Sequence, residues 1–309
     1  MLSRTADHLY WMSRYTERAE NIARLLEVTY RTSLLVPDQP LGYWGAALGI
    51  TGLEEGYRAK FGEIQAAQVL RFMSTDLGNP SSILSCLRAA RENCHAVRGT
   101  VTSEVWETIN TTWLEAREVK GGLAQGSELT QYFEWVKFRS HLSRGVTVGT
   151  MLQDEAFNFI RLGTFLERAD NTARLLDVKF DELAPTSDPG GEYYEWGALL
   201  RSVSAFEIYR KVYSDVVTPI RVAELLILRE DMPRSLHACI KEVRQILEQL
   251  ANQRSGETLR RAGQMYSSLR YGRMEDIAKQ GLHDYLTRFL HDTHDIGNLI
   301  AQDFLVPTA

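Results

Sequence analysis

Apolar residues recur along this chain at helical spacing. Near the start, Leu9, Met12, Thr16, Ala19, Ala23 and Leu26 alternate by three and four, the stripe that a helix turns toward a core. The pattern predicts a helix over residues 2–34, ended by Pro37 and Pro40, which cannot continue the hydrogen-bond ladder. Tyr43–Phe61 and Glu63–Ser74 read as two further helical pieces. Asn79-Pro80 reads as an N-cap and first-turn proline, opening a helix to about Arg98. Val101 to about Lys120 is helical as well, and Gly121-Gly122 and Gly126-Ser127 punctuate the chain before a helix from Glu128. Residues 151–182 form a second long helix carrying Phe157, Leu162, Phe165, Ala169, Ala173 and Leu176. Leu183 to Glu192 is the clearest loop, and helices follow at about 193–216, 219–230, 233–252 and 282–304. All eight prolines (37, 40, 80, 185, 189, 219, 233 and 307) fall at these helix starts or in loops. No alternating Val/Ile/Thr-rich segment has the pattern of a strand. The predicted fold class is all-α.

The two long helices carry the same phrase. Glu17-Arg18-Ala19-Glu20-Asn21-Ile22-Ala23-Arg24-Leu25-Leu26 returns 150 residues later as Glu167-Arg168-Ala169-Asp170-Asn171-Thr172-Ala173-Arg174-Leu175-Leu176. Trp44 matches Trp196, the run Pro80–Cys86 matches Pro233–Cys239, Arg91 matches Arg244 and Tyr132 matches Tyr285. So long a period is not a solenoid repeat. It predicts an internally duplicated helical bundle with two pseudo-symmetric halves, 1–150 and 151–309, forming a single domain over 1–309.

Composition narrows the function classes. The chain has 309 residues, 44% of them hydrophobic, enough for a substantial core. A net charge of −5 argues against a nucleic-acid partner. No apolar run of about 18 residues suggests a membrane span, and the first residues carry no apolar signal region. Cys86, Cys94 and Cys239 are sparse and lack metal-ligand spacing, which fits reduced thiols in a bacterial-type cytoplasm.

Charged side chains supply the candidate chemistry. Arg14, Glu17, Asn21 and Arg24 share one face of the first helix, with Arg18 at its edge. Glu167, Asn171 and Arg174 repeat the face in the second copy, with Arg168 at the edge and Thr164 in place of Arg14. Two readings stand. These groups form a buried polar network between helices, or they bind the carboxylate or phosphate of a ligand. The halves differ elsewhere. Arg88, Arg91, His95 and Arg98 make an all-cationic stripe, whereas the second half has Lys241, Arg244, Glu248 and Ala251. Trp106, Glu107 and Asn110 have the counterparts Leu259, Arg260 and Gly263. The first-half set is an anion site with an aromatic wall and one carboxylate, or else the arginines pair with acids such as Glu17 or Glu107. If a site exists, it is expected where Glu17 and Arg24 meet Arg91, Arg98, Trp106 and Glu107.

Other motifs are weak. His291-Asp292-Thr293-His294-Asp295 has metal-like spacing but no further ligand, so no metal or other cofactor is expected. Cys94 and His95 are adjacent and point apart on a helix, a poor nucleophile pair. Arg270, Tyr271 and Arg273 mark a mixed basic and aromatic stretch within Tyr266–Tyr285. No Gly-rich phosphate loop, Gly-x-Ser-x-Gly elbow or His-Glu-x-x-His motif occurs.

The duplicated Glu-Arg pair in an all-helical chain resembles the bacterial alpha-E domain family over the whole length. The resemblance rests on Glu17-Arg18 with Asn21 and Arg24, Asn79-Pro80-Ser81-Ser82, Ala90-Arg91-Glu92-Asn93, Val97-Arg98, Trp106-Glu107 with Asn110, Glu167-Arg168 and Pro233-Arg234-Ser235. Cys94-His95 stands where the family continues with Ala-Arg. The resemblance implies partnership with a circularly permuted ATP-grasp ligase and a transglutaminase-like protein. The expected function is an accessory or substrate-binding partner of a peptide or amide ligase system, not self-sufficient in catalysis. The alternatives are an enzyme acting on an anionic amino acid or peptide, with Glu17 or Glu107 as general acid or base, and a purely structural helical scaffold.

Overall fold

A computed structural model describes residues 1–35, 40–119, 126–182 and 189–305. Among the described residues the chain is all-helical, with fifteen α-helices and no strand. It separates into two compact units. One comprises Met1–Glu167 with a segment beginning at Phe304; the other is Arg168–Asp303.

The first unit is built on α1 (Ser3–Leu35). Leu9, Met12, Ala19, Ile22, Ala23, Leu25 and Leu26 are buried on one broad side, and Glu17, Glu20, Asn21 and Arg24 are buried on the other, so the helix is enclosed all round. Such a helix belongs at the centre of its bundle. Around it come α2 (Pro40–Thr51), α3 (Glu54–Phe61), α4 (Ala66–Ser74), α5 (Ile83–Ala96), α6 (Ser103–Ala116) and α7 (Ser127–Thr150). The helix α1 packs on α2, α4, α5 and α7, while α6 bridges α5 and α7. Next, α8 (Glu155–Glu182) starts where Asp154 Oδ1 accepts from the Ala156 and Phe157 amides at 2.9 and 3.2 Å. It meets α1 at Gly163, where no side chain intervenes. The unit boundary falls inside α8.

The second unit continues with α9 (Pro189–Ser202), α10 (Phe206–Tyr213), α11 (Pro219–Ile227), α12 (Leu236–Gln249), α13 (Gly256–Arg270), α14 (Met274–Gln280) and α15 (Leu282–Ile300), followed by one π-type turn, Ala301–Leu305. Here α12 packs on α13, and α13 and α14 pack on α15. Thr172 on α8 donates to the Arg234 carbonyl ahead of α12 at 3.0 Å.

Several boundaries differ from the sequence reading, each for a local reason. Tyr43–Phe61 divides because Gly52 takes φ +66° and ends α2. The predicted helix over 193–216 divides at Ser204, whose φ is +54° without a glycine to announce it. Asn79-Pro80 is a turn, not a helix start. Asn79 Oδ1 accepts from the Ser81 amide at 3.0 Å, and the cap of α5 is Ser82, whose hydroxyl accepts from the Ser85 amide at 3.1 Å. The helix predicted from 233 likewise starts later, behind Ser235, which accepts from the Ala238 amide at 3.0 Å. The helices α13 and α14 were not anticipated as separate elements. Pro40 begins α2 instead of ending α1, and α9 already begins at Pro189 within the predicted loop. The readings placed on Pro37, Gly121-Gly122, residues 183–188 and Pro307 lie outside the described residues.

Gly163 offers a test of the α1–α8 packing. A methyl group there would overlap the Tyr10 carbonyl oxygen and the Ser13 hydroxyl, and a backbone carbonyl in a packed helix cannot step aside. Gly163→Ala is expected to lower unfolding stability by about 1–3 kcal/mol in a denaturant titration. An unchanged midpoint would contradict this packing.

Candidate functional site

In the first unit, the glutamates of both Glu-Arg pairs are buried. Glu167 on α8 receives two guanidiniums from α1. Arg14 Nε donates to Oε2 at 2.7 Å; Arg18 donates from Nε to Oε1 at 2.5 Å and from Nη2 to Oε2 at 3.0 Å. Burial alone pushes the Glu167 carboxyl up, but Arg14 and Arg18 outweigh it and hold the group at about 2. Arg14 also donates to the Tyr10 hydroxyl at 3.1 Å and lies 5.1 Å from the Trp11 ring centroid.

Glu17, one residue before Arg18, points elsewhere, because successive residues on a helix diverge by about 100°. It accepts from Arg144 Nη1 of α7 at 2.8 Å. The same Nη1 reaches Glu20 Oε2 at 2.5 Å, where the Ser140 hydroxyl also donates at 2.7 Å. Arg24 pairs with Glu20 at 2.8 Å, and His141 Nε2 lies 3.0 Å from Arg24 Nη2. One turn further along α1, Lys137 donates to Glu27 at 2.5 Å. The partners run in opposite order, 137 against 27 and 144 against 17, so α7 is antiparallel to α1. Glu17 and Glu20 are at most 1% exposed and Arg24 8%, so the α1 side of this polar seam is buried, while Arg144 and His141 on α7 reach its edge. Asn21 is buried within it.

The sequence reading singled out neither Glu20 nor Glu27 as a candidate, nor their α7 partners Lys137, Ser140 and Arg144. A signal was present. Glu17, Glu20, Arg24 and Glu27 are spaced three, four and three, and so are Lys137, Ser140, Arg144 and Thr147. Two polar stripes of one period and mainly opposite charge mark facing helices.

The first-half cationic stripe lies apart from this seam. Arg91 donates through Nε to Asn110 Oδ1 at 3.2 Å. The Arg91 and Arg98 guanidiniums lie 5.5 and 5.2 Å from the Trp106 ring centroid, and the His95 ring is 5.5 Å away at 51°. Arg88 is a turn back, with Glu92 4.0 Å from its Nε. His95, Arg98 and Glu107 are exposed, while Trp106 is buried beneath the arginines. Among the described residues, no carboxylate pairs with Arg91 or Arg98, and no cation pairs with Glu107. The expected meeting of Glu17 and Arg24 with this cluster does not occur. Glu17 and Arg24 face α7, and no hydrogen bond or ion pair joins the two sets. Nor do the arginines find Glu17 or Glu107 as partners.

The remaining candidates belong to the second unit. Arg168 is buried, Asn171 is half-buried, and the exposed Arg174 pairs along its own helix with Asp170 at 2.8 Å. His291, Asp292 and Asp295 gather within 4.8 Å on exposed and half-exposed surface, and His294 stands outside the group. A dip of about 510 Å³ beside Leu228 is lined by charges that pair with one another, Arg229 with Asp231 and Lys241 with Glu230, each at 2.5 Å. In the first unit, the space left among α1, α5, α6 and α7 is about 10 Å³, at most room for one water. All three cysteines are buried free thiols. Burial pushes Cys86 and Cys94 up to about 12 against the weaker pull of Arg18 and Arg91, so neither is a ready nucleophile.

The depressed Glu167 group links stability to acid. A carboxyl whose folded value lies below its ordinary 4.5 adds stability that is full above that value and is lost as pH falls toward about 2. The contribution is roughly 3 kcal/mol. Glu167→Gln, which leaves two guanidiniums without their charge, is expected to cost about 3 kcal/mol at neutral pH. The variant and wild type should converge between pH 4.5 and pH 2 in denaturant titrations run across that range. Parallel curves would show that Glu167 does not carry this linkage.

Comparison with known proteins places these features. Uncharacterized proteins of Mycobacterium bovis and Mycobacterium tuberculosis are 25% identical to this chain over 314 residues, covering 94% of it. The chain spans about a third of the length of these relatives, 35%. No solved structure matches. The Alpha-E family, described as a predicted alpha-helical domain with a conserved ER motif, matches residues 1–305. With Glu17-Arg18 and Glu167-Arg168 in place on α1 and α8, the chain belongs to the Alpha-E family.

Proposed function

We propose that this protein is an accessory, substrate-binding partner of an ATP-grasp-type peptide or amide ligase system and does not complete catalysis by itself. One contrast carries the reading. The Glu17 and Glu167 carboxylates are buried against guanidiniums, whereas Arg91 and Arg98 pair with no carboxylate among the described residues. A general acid or base must exchange a proton with substrate near working pH, and Glu167, held at about 2 with both oxygens occupied, does not suit that task. Uncommitted surface arginines suit recognition of an anionic amino acid or peptide. The ligase and the transglutaminase-like protein enter through the family resemblance. The greater length of the mycobacterial relatives supports partnership, since the matching region there is joined to about twice as much further chain.

The architecture behind this reading is an internal duplication into halves 1–150 and 151–309, arranged as two repeats of one domain. Its support is the succession of matching elements. Helices α3 and α10 both have 8 residues, α4 and α11 have 9, and α5 and α12 have 14. Local contacts recur too. The Tyr57 and Tyr209 hydroxyls each accept a backbone amide, from Gln65 and Thr218, at 3.1 Å. The Cys86 and Cys239 thiols each face the carbonyl six residues back, at 4.0 and 3.9 Å. The free thiols also fit the proposed cytoplasmic location. No described helix is long and apolar enough to cross a membrane.

Glu107 keeps the enzyme alternative in view, since it is exposed beside the arginine cluster and has no cationic partner among the described residues. Turnover abolished by Glu107→Gln would favour it. The accessory role is tested by co-purification with the ATP-grasp ligase and by ligase assays with and without this protein. Association and a changed rate or substrate choice are expected. Unchanged ligase behaviour after deletion would sink the proposal.

A further inference from the structure

Arg91, His95 and Arg98 stand at spacings of four and three along and just past α5, with Trp106 of α6 against all three. We propose that this cluster is a binding site for a doubly charged oxyanion, a phosphoryl group carried by the ligand of this protein. The inference rests on the binding role above only for what that ligand is for; the binding itself is a property of the first unit.

Two permanent positive charges lie against one aromatic ring, and among the described residues no acid pairs with either. Glu92 faces Arg88, and Glu107 makes no ion pair among the described residues. The ring face attracts cations but does not cancel their charge. The two guanidiniums therefore repel each other until an anion arrives, so an anion gains affinity from relief of that repulsion. The arrangement is also prepared in advance. Asn110 fixes Arg91 through Nε, which leaves both Nη groups to donate, and Trp106 restrains two long side chains whose ordering otherwise opposes binding.

Charge matching selects the ligand class. A carboxylate would neutralise one guanidinium and leave the other exposed to its neighbour. A phosphoryl dianion balances both, and its tetrahedral oxygens can accept from two planar forks and from a His95 ring nitrogen together. The chain as a whole carries −5, so the attraction is local to this face. His95 and Arg98 are exposed, which lets a phosphoryl group on a larger molecule reach them.

The test uses the full chain in low-salt buffer, titrated calorimetrically with sulfate, inorganic phosphate and acetate. Sulfate stays doubly charged across the accessible pH range and acetate carries one charge. Saturable binding of sulfate and phosphate at one site is expected, stronger than that of acetate and weakened by added sodium chloride. Arg98→Gln and Arg91→Gln should each weaken sulfate binding about tenfold. Among the described residues the Arg98 guanidinium makes no hydrogen bond, only its backbone amide does, so Arg98→Gln should keep the wild-type melting temperature. Arg260→Gln, a surface change at a pair with Glu257 in the other unit, should leave binding unchanged. Acetate binding as tightly as sulfate, or sulfate binding indifferent to both cluster variants, would overturn the assignment. Phosphoryl binding without any ligase association would remove the ligase role and keep this site. Ligase association without sulfate or phosphate binding would do the reverse.

Discussion

A carboxylate taken out of water must be met by opposite charge or it will not stay ionised. Helix α1 brings this constraint to the centre of the first unit. Its Glu17 and Glu20 are buried toward α7, and Glu167 of α8 is buried against it from another side. Each finds guanidinium donors, and the donors come from different helices in the two cases. Arg144 approaches from α7, whereas Arg14 and Arg18 leave α1 itself. The positions of α7 and α8 are thereby tied to the same two turns of α1. A shift of α7 by one turn would leave Glu17 and Glu20 without Arg144, and an apolar seam would impose no such register.

That geometry explains why glutamate and arginine stand next to each other in the motif. Neighbours on a helix diverge by about 100°, so Glu17 and Arg18 cannot serve one interface. Glu17 serves α7 and Arg18 serves α8. The adjacency encodes two contacts in different directions, not a pair that closes on itself. Removing the charge from either residue would loosen a different helix.

Much of the fold was legible in the chain because helical periodicity is a local property. Leu9, Met12, Ala19 and Ala23 mark α1 without reference to any other segment, and α1, α7 and α8 lie close to where the apolar spacing places them. The errors fell where local signals compete. Asn79-Pro80 carries a helix-start signature, yet Asn79 bonds within its own turn and Ser82, three residues on, takes the cap. Ser204 breaks a helix with a left-handed backbone that no residue type announces. The polar face of α1 was legible as a stripe, and α7 carries one of the same period, but their pairing was not legible. Lys137, Ser140 and Arg144 become meaningful only once α7 is known to lie antiparallel on α1, and that is a long-range fact.

The same residue type therefore does opposite things in this unit, and surroundings decide which. Arg14, Arg18 and Arg144 face carboxylates that would be intolerable without them, so their charge is consumed by the fold. Arg91 and Arg98 face an amide and an aromatic ring, neutral groups that orient a guanidinium but leave its charge unbalanced. A fold seeking stability alone would gain by placing a glutamate there, as Glu248 of the second unit stands 2.6 Å from Arg244 one turn back on its helix. The first unit has His95 between Arg91 and Arg98 and holds both arginines on Trp106 instead. A surface that maintains repelling charges in an ordered arrangement, when one substitution would quench them, is arranged for an anion supplied from outside.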